Sequence, residues 1–369
     1  MNTKFVDLTV QTDTIKKEVF SKWNEIVDNH RFISGEEVRA FENNFASRCS
    51  AKYSVGLSSG TDANILSVLC KDFSPESEVI VPVNTYIATA AGVSHSNMKP
   101  IFIDVEEESY NLNPNKIEEL ITDRTKAIIP VHLYGNPAKM NEIITVARKY
   151  NIFVIEDSSQ AHFAEISGKK VGGFGDISTW SFYPGKNLGA WGEAGAVVTN
   201  NFEIYELIKK YRNHGGLKKY QHELIGFNFR MSELQAVVLN EKMKYIDEWT
   251  NERIEIAKKY QARLNHVEEI ICPSKSVRDK HVFHLFVVRT KKRDLLKKHL
   301  SENGIETSIH YPNCLHQNKA YQNLGYKNGD FPIAEKISNE ILSLPLYIGM
   351  SDDQIDYVCD KIKIFFKKQ

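Results

Sequence analysis

Short apolar runs alternate with amphipathic segments between residues 53 and 199. The apolar runs cover residues 53–57, 79–83, 100–105, 127–131, 152–155, 177–182 and 194–199. They are rich in Val and Ile and lack strict two-residue alternation, which is typical of strands that helices cover on both faces. The alternation of such strands with helical segments predicts an α/β domain built on a largely parallel sheet.

Beyond Arg230 the spacing of apolar residues becomes helical. Residues 232–264 carry apolar side chains three or four positions apart, which predicts one long helix that links two domains. The segments that follow are strand-like at 281–289, helical near 295–303, irregular at 310–329 and helical again at 352–366. We therefore expect a large domain over residues 1–245, which includes the start of the linking helix, and a small C-terminal α/β domain over residues 246–369.

Composition narrows the choice of partners. The chain has 369 residues, more than one compact core usually holds, and its 47 basic and 47 acidic residues give a formal net charge of zero. A chain without net charge has no overall attraction to nucleic acid or to an anionic membrane, so its charge predicts neither as a partner. We expect small-molecule partners or a second copy of the chain.

Cysteine usage and the N-terminal segment suggest a compartment. The five cysteines are scattered without a Cys-x-x-Cys pair, which argues against a zinc or redox site and for a reducing environment; they are Cys49, Cys70, Cys272, Cys314 and Cys359. Residues 1–10 do not resemble a secretory signal, and no apolar run is long enough to cross a bilayer. We expect a soluble, cytoplasmic protein.

One lysine stands where a reactive amine is expected. Lys186 follows a Pro-Gly turn and precedes the apolar run 194–199, which predicts that it points inward. Desolvation would lower its pKa and allow the neutral amine to attack a carbonyl and form a Schiff base. The commoner alternative for a Gly-Lys pair is a surface lysine over a turn. A nucleoside-triphosphate loop is excluded, because Asn187 follows the lysine and Trp180 replaces the first glycine of that motif.

Three further segments lie at predicted strand ends, where an open α/β sheet binds its ligands. Residues 58–63 lead from a strand into an apolar helix, so the backbone around Gly60 and Thr61 suits a phosphate, although a simple helix cap is the alternative. Asp157 ends a buried strand and could face a cationic ring nitrogen or merely cap a helix, with Glu156 on the opposite face. Tyr86 opens a helix and could lie flat on an aromatic cofactor or belong to the core.

In these motifs the chain resembles the pyridoxal-phosphate-dependent sugar-nucleotide aminotransferases of the DegT/DnrJ/EryC1/StrS group. The resemblance extends from the region of Leu8 to the C-terminal helix. Residues 181–190 and 156–162 look most like the branch that aminates C-3 of dTDP-3-keto-6-deoxyhexoses. The resemblance implies the aspartate-aminotransferase-like α/β fold, pyridoxal phosphate fold type I. That fold has a large domain with a mostly parallel mixed sheet and a smaller C-terminal α/β domain.

The resemblance also implies roles for individual residues. Lys186 would bind pyridoxal 5′-phosphate as a Schiff base and move the proton during the reaction, while Asp157 pairs with the pyridine nitrogen and Gln160 bonds the ring hydroxyl. The phosphate would be held by Gly60, Thr61, Ser181 and, from a second subunit of a homodimer, Asn228. Relatives approach the sugar nucleotide at the positions of Tyr183, Tyr220, His222, His310, Tyr311 and His316. No metal is implied.

The implied reaction transfers the amino group of L-glutamate to C-3 of a dTDP-3-keto-6-deoxyhexose and gives a dTDP-3-amino-3,6-dideoxyhexose, such as lipopolysaccharide O-antigens or S-layer glycans contain. Three alternatives stay open: a C-4 aminotransferase of a nucleotide-linked 4-keto-6-deoxyhexose, a sugar 3-dehydratase, and a non-catalytic regulatory member of the fold. The dehydratases carry histidine at the lysine position, so Lys186 argues against that alternative. Phe163 departs from the family pattern, since it stands where glycine is common. The role of Arg230 stays open, because it could contact substrate or support a dimer.

Overall fold

The computed structural model describes residues 2–273 and 279–367. Its α-helices are α1 (Thr9–Asp28), α2 (Glu36–Arg48), α3 (Gly60–Leu69), α4 (Ile87–His95), α5 (Met140–Lys149), α6 (Phe202–Arg212), α7 (Glu233–Met243), α8 (Ile246–Leu264), α9 (Arg293–Glu302), α10 (Pro332–Glu340) and α11 (Asp352–Lys367). Its strands are β1 (Tyr53–Leu57), β2 (Glu78–Pro82), β3 (Lys99–Ile103), β4 (Thr125–Ile128), β5 (Phe153–Asp157), β6 (Glu165–Ile166), β7 (Lys169–Lys170), β8 (Ile177–Ser181), β9 (Gly195–Thr199), β10 (Asp279–Lys280), β11 (Phe286–Arg289) and β12 (Ile341–Leu344). Short 3-10 helices cover Pro114–Lys116, Glu118–Leu120, Leu133–Gly135, Leu315–Gln317 and Lys319–Leu324.

A seven-stranded mixed sheet forms the centre of the molecule, in the order β1-β9-β8-β5-β4-β2-β3. Only β9 runs against the other six, since it pairs antiparallel with both β1 and β8. The remaining neighbours pair in parallel. Each of the seven predicted strand segments overlaps one strand of this sheet. Because the parallel strands run the same way, the loops that follow them meet at one edge.

Apolar clusters cover the sheet on both faces. Along β2, Val79 and Val81 belong to one cluster and Ile80 to the other, as the two-residue period of a strand requires. The two smaller sheets are β10-β6-β7 and the antiparallel pair β11-β12. A third cluster joins β11 and β12 to α8, α9 and α11 near the C-terminus. The predicted domain boundary at residue 245 stays a prediction, because Leu285 and Leu315 join a cluster of the central sheet.

The prediction of one helix over residues 232–264 is wrong. The chain forms α7 and α8, which Lys244 and Tyr245 separate. α7 packs against α1 and α2, whereas α8 packs against α11. Tyr245 stacks on Trp249 with 5.5 Å between ring centroids. The apolar spacing continues across the turn, so periodicity alone could not reveal the break between α7 and α8.

The predicted strand at 281–289 is shorter in the structure. Only Phe286–Arg289 pairs, with β12, while the preceding residues follow an irregular path. The backbone amides of Val282 and Leu285 donate to the carbonyls of Gly135 and Tyr134. The Asn187 amide donates to the Val282 carbonyl at 2.9 Å. These bonds draw the segment toward the central sheet instead of a strand partner.

The remaining helical predictions agree with the structure. The predicted helix near 295–303 is α9, and the closing helix is α11, whose buried stripe includes Ile355, Val358 and Ile362. The irregular region 310–329 contains two of the 3-10 helices. All five cysteines lie in the described residues, and no disulfide bond joins any of them. In the described part of the chain no helix has the length and apolar character to cross a membrane.

Aromatic side chains stiffen the sheet next to the predicted lysine loop. Phe45 is fully buried and meets Trp180 and Phe182 edge-on, with centroids 5.1 and 5.2 Å away. Phe41 packs on Phe45 at 5.4 Å. Trp180 and Phe182 lie at the end of β8 and just beyond it, so this cluster fixes the start of the loop that carries Lys186.

We expect Phe45→Ala to lower the free energy of unfolding by about 3–5 kcal/mol, because truncation leaves a cavity among the aromatic rings that pack on Phe45. The thermal unfolding midpoint measures the effect. Leu295→Ala is the control, since Leu295 is 58% exposed on α9 and should change the midpoint little. Equal shifts in the two variants would contradict this account of the cluster.

Candidate active site

A cavity of about 520 Å³ lies at the edge of the sheet where the parallel strands end. Loops after β1, β2, β5 and β8 form one side of it, and segments 284–285, 310–311 and 344–346 form the other. Most of the predicted site residues line it: Gly60, Thr61, Tyr86, Asp157, Gln160, Ser181, Tyr183, Lys186, His310 and Tyr311. Segments far apart in the sequence therefore meet in one site.

Lys186 is carried by the loop between the antiparallel strands β8 and β9. The loop is pinned at its base by hydrogen bonds from Phe182 N to Ala194 O and from Ala190 N to Phe182 O, both 2.8 Å long. A further bond from Lys186 N to Tyr183 O closes the turn that presents the lysine. Lys186 is partly buried and lines the cavity.

Burial lowers the pKa of Lys186 to about 8, and the negative charge of Asp157 opposes part of that change. No carboxylate of the described residues lies within ion-pairing distance of the ammonium group. Lys186 therefore supplies a useful fraction of neutral amine near neutral pH, which nucleophilic attack on a carbonyl requires.

Asp157 ends β5 and is buried. Its Oδ2 accepts a hydrogen bond of 2.9 Å from the Thr89 hydroxyl, and its Oδ1 accepts one from Ser159 N. The Thr89 hydroxyl in turn lies 3.3 Å from the hydroxyl of Thr85, which precedes α4. These bonds fix the plane of the carboxylate at the cavity wall.

The neighbouring carboxylate serves the fold. Glu156 points away from the cavity, as the strand period predicts, and is fully buried. It accepts hydrogen bonds from the backbone amides of Gly172, Phe174 and Gly175 and lies 2.9 Å from His132 Nε2. These donors hold its pKa below the ordinary value despite burial. Strand β5 thus provides the Asp157 carboxylate to the cavity and the Glu156 carboxylate to the backbone amides of residues 172–175.

The N-terminus of α3 forms one end of the cavity. Ser59 caps the helix, since its hydroxyl accepts from Asp62 N at 3.1 Å. The backbone amides of Gly60 and Thr61 make no hydrogen bond to the described residues, as expected for the first turn of a helix. A Cβ on Gly60 would lie 2.6 Å from the Cβ of Ser181, so only glycine lets the end of β8 approach the helix this closely. The result is an anion cradle of two amides with hydroxyl groups beside it.

Gln160 links the loop after β5 to Tyr134 and Tyr311. Its Oε1 accepts from Tyr134 N at 2.7 Å, and its Nε2 donates to the Tyr311 hydroxyl at 3.0 Å. Tyr86 directly precedes α4 and is 55% exposed, and its ring centroid lies 5.7 Å from that of Tyr311. Tyr183 is also an exposed rim residue. These rings frame the entrance to the cavity.

Neutral imidazoles surround the lysine. Burial and the Lys186 charge lower the pKa of His162 to about 3 and that of His310 to about 4. The pKa of His284 is lowered well below its ordinary value, first by burial and then by the same charge. His310 lies 2.9 Å from the Ser343 hydroxyl and stacks on Phe5. The rings add polarity near Lys186 without competing positive charge.

The structure does not bring four predicted residues into the cavity of the single chain. Tyr220, His222 and Asn228 lie on an exposed stretch after α6, and Tyr220 is 82% exposed. His316 is buried elsewhere: its Nε2 lies 3.1 Å from a Glu335 oxygen, and its ring packs on Phe331.

The structure locates Phe163, which departs from the motif pattern, and Arg230, whose role the sequence leaves undecided. Phe163 adopts φ 60°, the left-handed conformation that glycine takes at no cost, and its ring packs on Phe45. The backbone can therefore turn there without a glycine. Arg230 donates to the Asn213 side chain at 3.2 Å and does not line the cavity.

Sequence reasoning missed several residues that line the cavity. Thr89 lies in the segment that supplied Tyr86, and its spacing of four from Thr85 was an available signal. Arg253 and His284 come from outside the first α/β segment. No local motif marks them, because their place in the cavity depends on how the C-terminal segments pack.

Comparison with known proteins gives a consistent result. The model of the DegT/DnrJ/EryC1/StrS aminotransferase family matches residues 13–363. The chain is 42% identical over 360 residues to dTDP-3-amino-3,6-dideoxy-alpha-D-galactopyranose transaminase of Aneurinibacillus thermoaerophilus, covering 97% of this chain and 98% of that one. It is 38% identical over 369 residues to a protein of Geobacillus stearothermophilus called pleiotropic regulatory protein, covering 100% and 99%.

Solved structures share the whole fold. The structure of S. venezuelae DesV in complex with a ketimine intermediate has a TM-score of 0.96 and 36% identity, covering 99% of this chain and 98% of that one. The structure of ntda from Bacillus subtilis with bound cofactor PMP has a TM-score of 0.91 and 31% identity, covering 99% and 85%. The predicted fold class is confirmed by these matches.

The pKa of Lys186 leads to a pH-dependent reactivity. Acetylation of Lys186 should rise with pH through a midpoint near 8, because only the neutral amine reacts, whereas an ordinary lysine titrates near 10.4. Asp157→Asn removes the charge that favours the ammonium form, so its midpoint should be lower still. Peptide mass spectrometry after brief labelling at each pH gives both curves. A midpoint near 10, or a rise of the midpoint in Asp157→Asn, would refute the assignment.

Proposed function

The chain belongs to the DegT/DnrJ/EryC1/StrS aminotransferase family, and from this premise we propose that it transfers the amino group of L-glutamate to C-3 of a dTDP-3-keto-6-deoxyhexose. The observation that carries the proposal is the cavity itself. It places a partly desolvated lysine, a fixed carboxylate and an anion cradle around one space of about 520 Å³.

The donor groups of the cavity fit pyridoxal 5′-phosphate. The free amides of Gly60 and Thr61, with the Ser181 hydroxyl, suit its phosphate. The carboxylate of Asp157 suits a protonated ring nitrogen, and the Gln160 amide suits the ring hydroxyl. Each of these groups lines the same cavity as Lys186. The fit therefore uses residues from the ends of three strands.

Bound there, pyridoxal phosphate would take the amino group from the donor and pass it to the keto sugar, using its ring to withdraw electrons. Lys186 Nζ is the base that removes the proton from the reacting carbon and the acid that returns it. A pKa of about 8 suits both tasks, because neither protonation state is rare near neutral pH. Thr89 keeps the Asp157 carboxylate in one orientation while the lysine acts.

Identity of 42% with a dTDP-3-amino-3,6-dideoxygalactose transaminase over nearly the whole chain supports the substrate and the position of amination. The nucleotide portion would supply binding energy that holds the ketone carbon near Lys186. Tyr183, His310 and Tyr311 line the cavity, and we expect them to contact the sugar. A free keto sugar should therefore be a poor substrate.

We also propose that two chains form a homodimer with shared sites. Asn228, Tyr220 and His222 lie outside the cavity of their own chain on an exposed stretch. The same stretch exposes Ile225 almost completely, at 95%. An apolar side chain so exposed beside polar ones suits a contact with a second copy. Asn228 would then complete the phosphate site of its neighbour.

Product analysis tests the proposed reaction. The protein with pyridoxal phosphate, L-glutamate and dTDP-3-keto-6-deoxyhexose should give a product whose amine NMR places at C-3. Lys186→Ala should lower the rate at least about 10²–10⁴-fold, because the proton carrier is lost. Lys16→Ala, an exposed lysine of α1, is the control and should keep the parent rate. An amine at C-4 would overturn the substrate, and a Lys186→Ala protein at the parent rate would overturn the mechanism.

Subunit complementation tests the shared site. Asn228→Asp keeps the side-chain shape but places a negative charge where a phosphate is proposed, so this variant and Lys186→Ala should each be inactive. Co-expressed, they should recover about one quarter of the parent sites, because half of the dimers are hybrids and each hybrid holds one intact site. No recovery from hybrids verified by mass spectrometry, or full activity of a monomer by light scattering, would contradict the proposal.

A further inference from the structure

The described residues include three buried arginines, and they differ in how their charge is balanced. Arg289 lies 2.7 Å from Glu340 and 2.9 Å from Glu107. Arg293 lies 2.6 Å from Asp294. Arg253 has no carboxylate within ion-pairing distance in the described part of the chain, although only 4% of it is exposed. Burying a charge without a counter-ion costs free energy, so the unpaired charge of Arg253 needs an explanation.

Arg253 also lines the cavity that contains Lys186. Its Nη1 donates to the carbonyl oxygens of Phe283, His284 and Leu346 at 3.2, 3.4 and 3.4 Å. These bonds anchor one corner of the guanidinium group on the C-terminal wall. Its Nε and Nη2 make no hydrogen bond to the described residues. The Nη1 corner of the guanidinium group is thus held in place, while Nε and Nη2 are free to bind a ligand.

The residue type matters here. Burial lowers the pKa of Arg253 to about 10, so it stays charged at neutral pH. Its neighbour Lys242 is also buried, and burial together with the Arg253 charge lowers its pKa to about 8. A lysine in this environment can lose its proton, whereas the guanidinium group cannot. Arg253 is therefore a permanent positive charge at the cavity wall.

We infer that Arg253 is the receptor for a carboxylate group of the amino donor. This inference rests on the proposed function, since it names the donor site of the same reaction. A planar carboxylate matches the free edge of a guanidinium fork and would supply the missing counter-ion. Bound there, the donor lies in the same cavity as Lys186 and the Asp157 carboxylate.

The surroundings favour a carboxylate over the diphosphate of the nucleotide. Arg253 is nearly inaccessible from outside, and the apolar side chains of Leu285, Leu344 and Leu346 line the cavity beside it. A compact carboxylate can reach such a position with little loss of hydration elsewhere. A nucleoside diphosphate is bulkier and carries more charge, so a site open to solvent suits it better.

Binding of glutarate, a dicarboxylate without an amine, tests the inference on the protein saturated with pyridoxal phosphate. Calorimetry should show glutarate binding weakened about 10–100-fold in Arg253→Gln, with a smaller loss in Arg253→Lys, which keeps the charge but not the fork. Binding of dTDP should be unchanged. Arg293→Gln is the matched control, because Arg293 also donates to backbone carbonyls, those of Ser338 and Ile341, but does not line the cavity.

Three results would overturn the inference: unchanged glutarate binding in Arg253→Gln, a loss confined to dTDP, or equal losses in the Arg253 and Arg293 variants. If Arg253→Gln does not fold, Arg253→Lys takes its place in the test. A selective loss of glutarate binding then supports the inference, and unchanged glutarate binding overturns it. Failure of the proposed function is a separate outcome. A protein that binds glutarate through Arg253 but aminates no keto sugar would keep the receptor and remove the reaction.

Discussion

The interaction on which the site depends is the opposition between burial and the Asp157 charge at Lys186. Burial favours the neutral amine and the carboxylate favours the ammonium ion, and together they set the pKa near 8. The balance exists because the lysine loop and the end of β5 face one cavity. Thr89 and Ser159 hold the carboxylate, so the charge that tunes the lysine is fixed in place.

Groups that can bind anions line this cavity, although the chain as a whole carries no net charge. The free amides at the start of α3 lie at one end, Lys186 lies on the sheet side, and Arg253 lies on the C-terminal wall. Each is provided by a different part of the fold. The central sheet supplies the groups that suit a cofactor, while the C-terminal segments supply groups that suit the molecules it reacts with.

Local patterns in the sequence predicted the central sheet and its edge well, and the family and fold class were confirmed. The motifs around Lys186, Asp157 and Gly60 work because neighbours in sequence share one strand end. The break between α7 and α8 and the irregular path of residues 281–285 were missed, because distant packing decides them. For the same reason Arg253 was missed, and His316 was expected near a cavity that the structure does not bring it to.

The central claim is that Lys186 is the reactive amine of this cavity, and trapping tests it most directly. The purified protein is mixed with pyridoxal phosphate near pH 8, reduced with borohydride, digested and mapped by mass spectrometry. The account predicts one major adduct, on the peptide that contains Lys186, and no adduct at this position in Lys186→Ala. An adduct spread over surface lysines, with Lys186 unmodified, would contradict it.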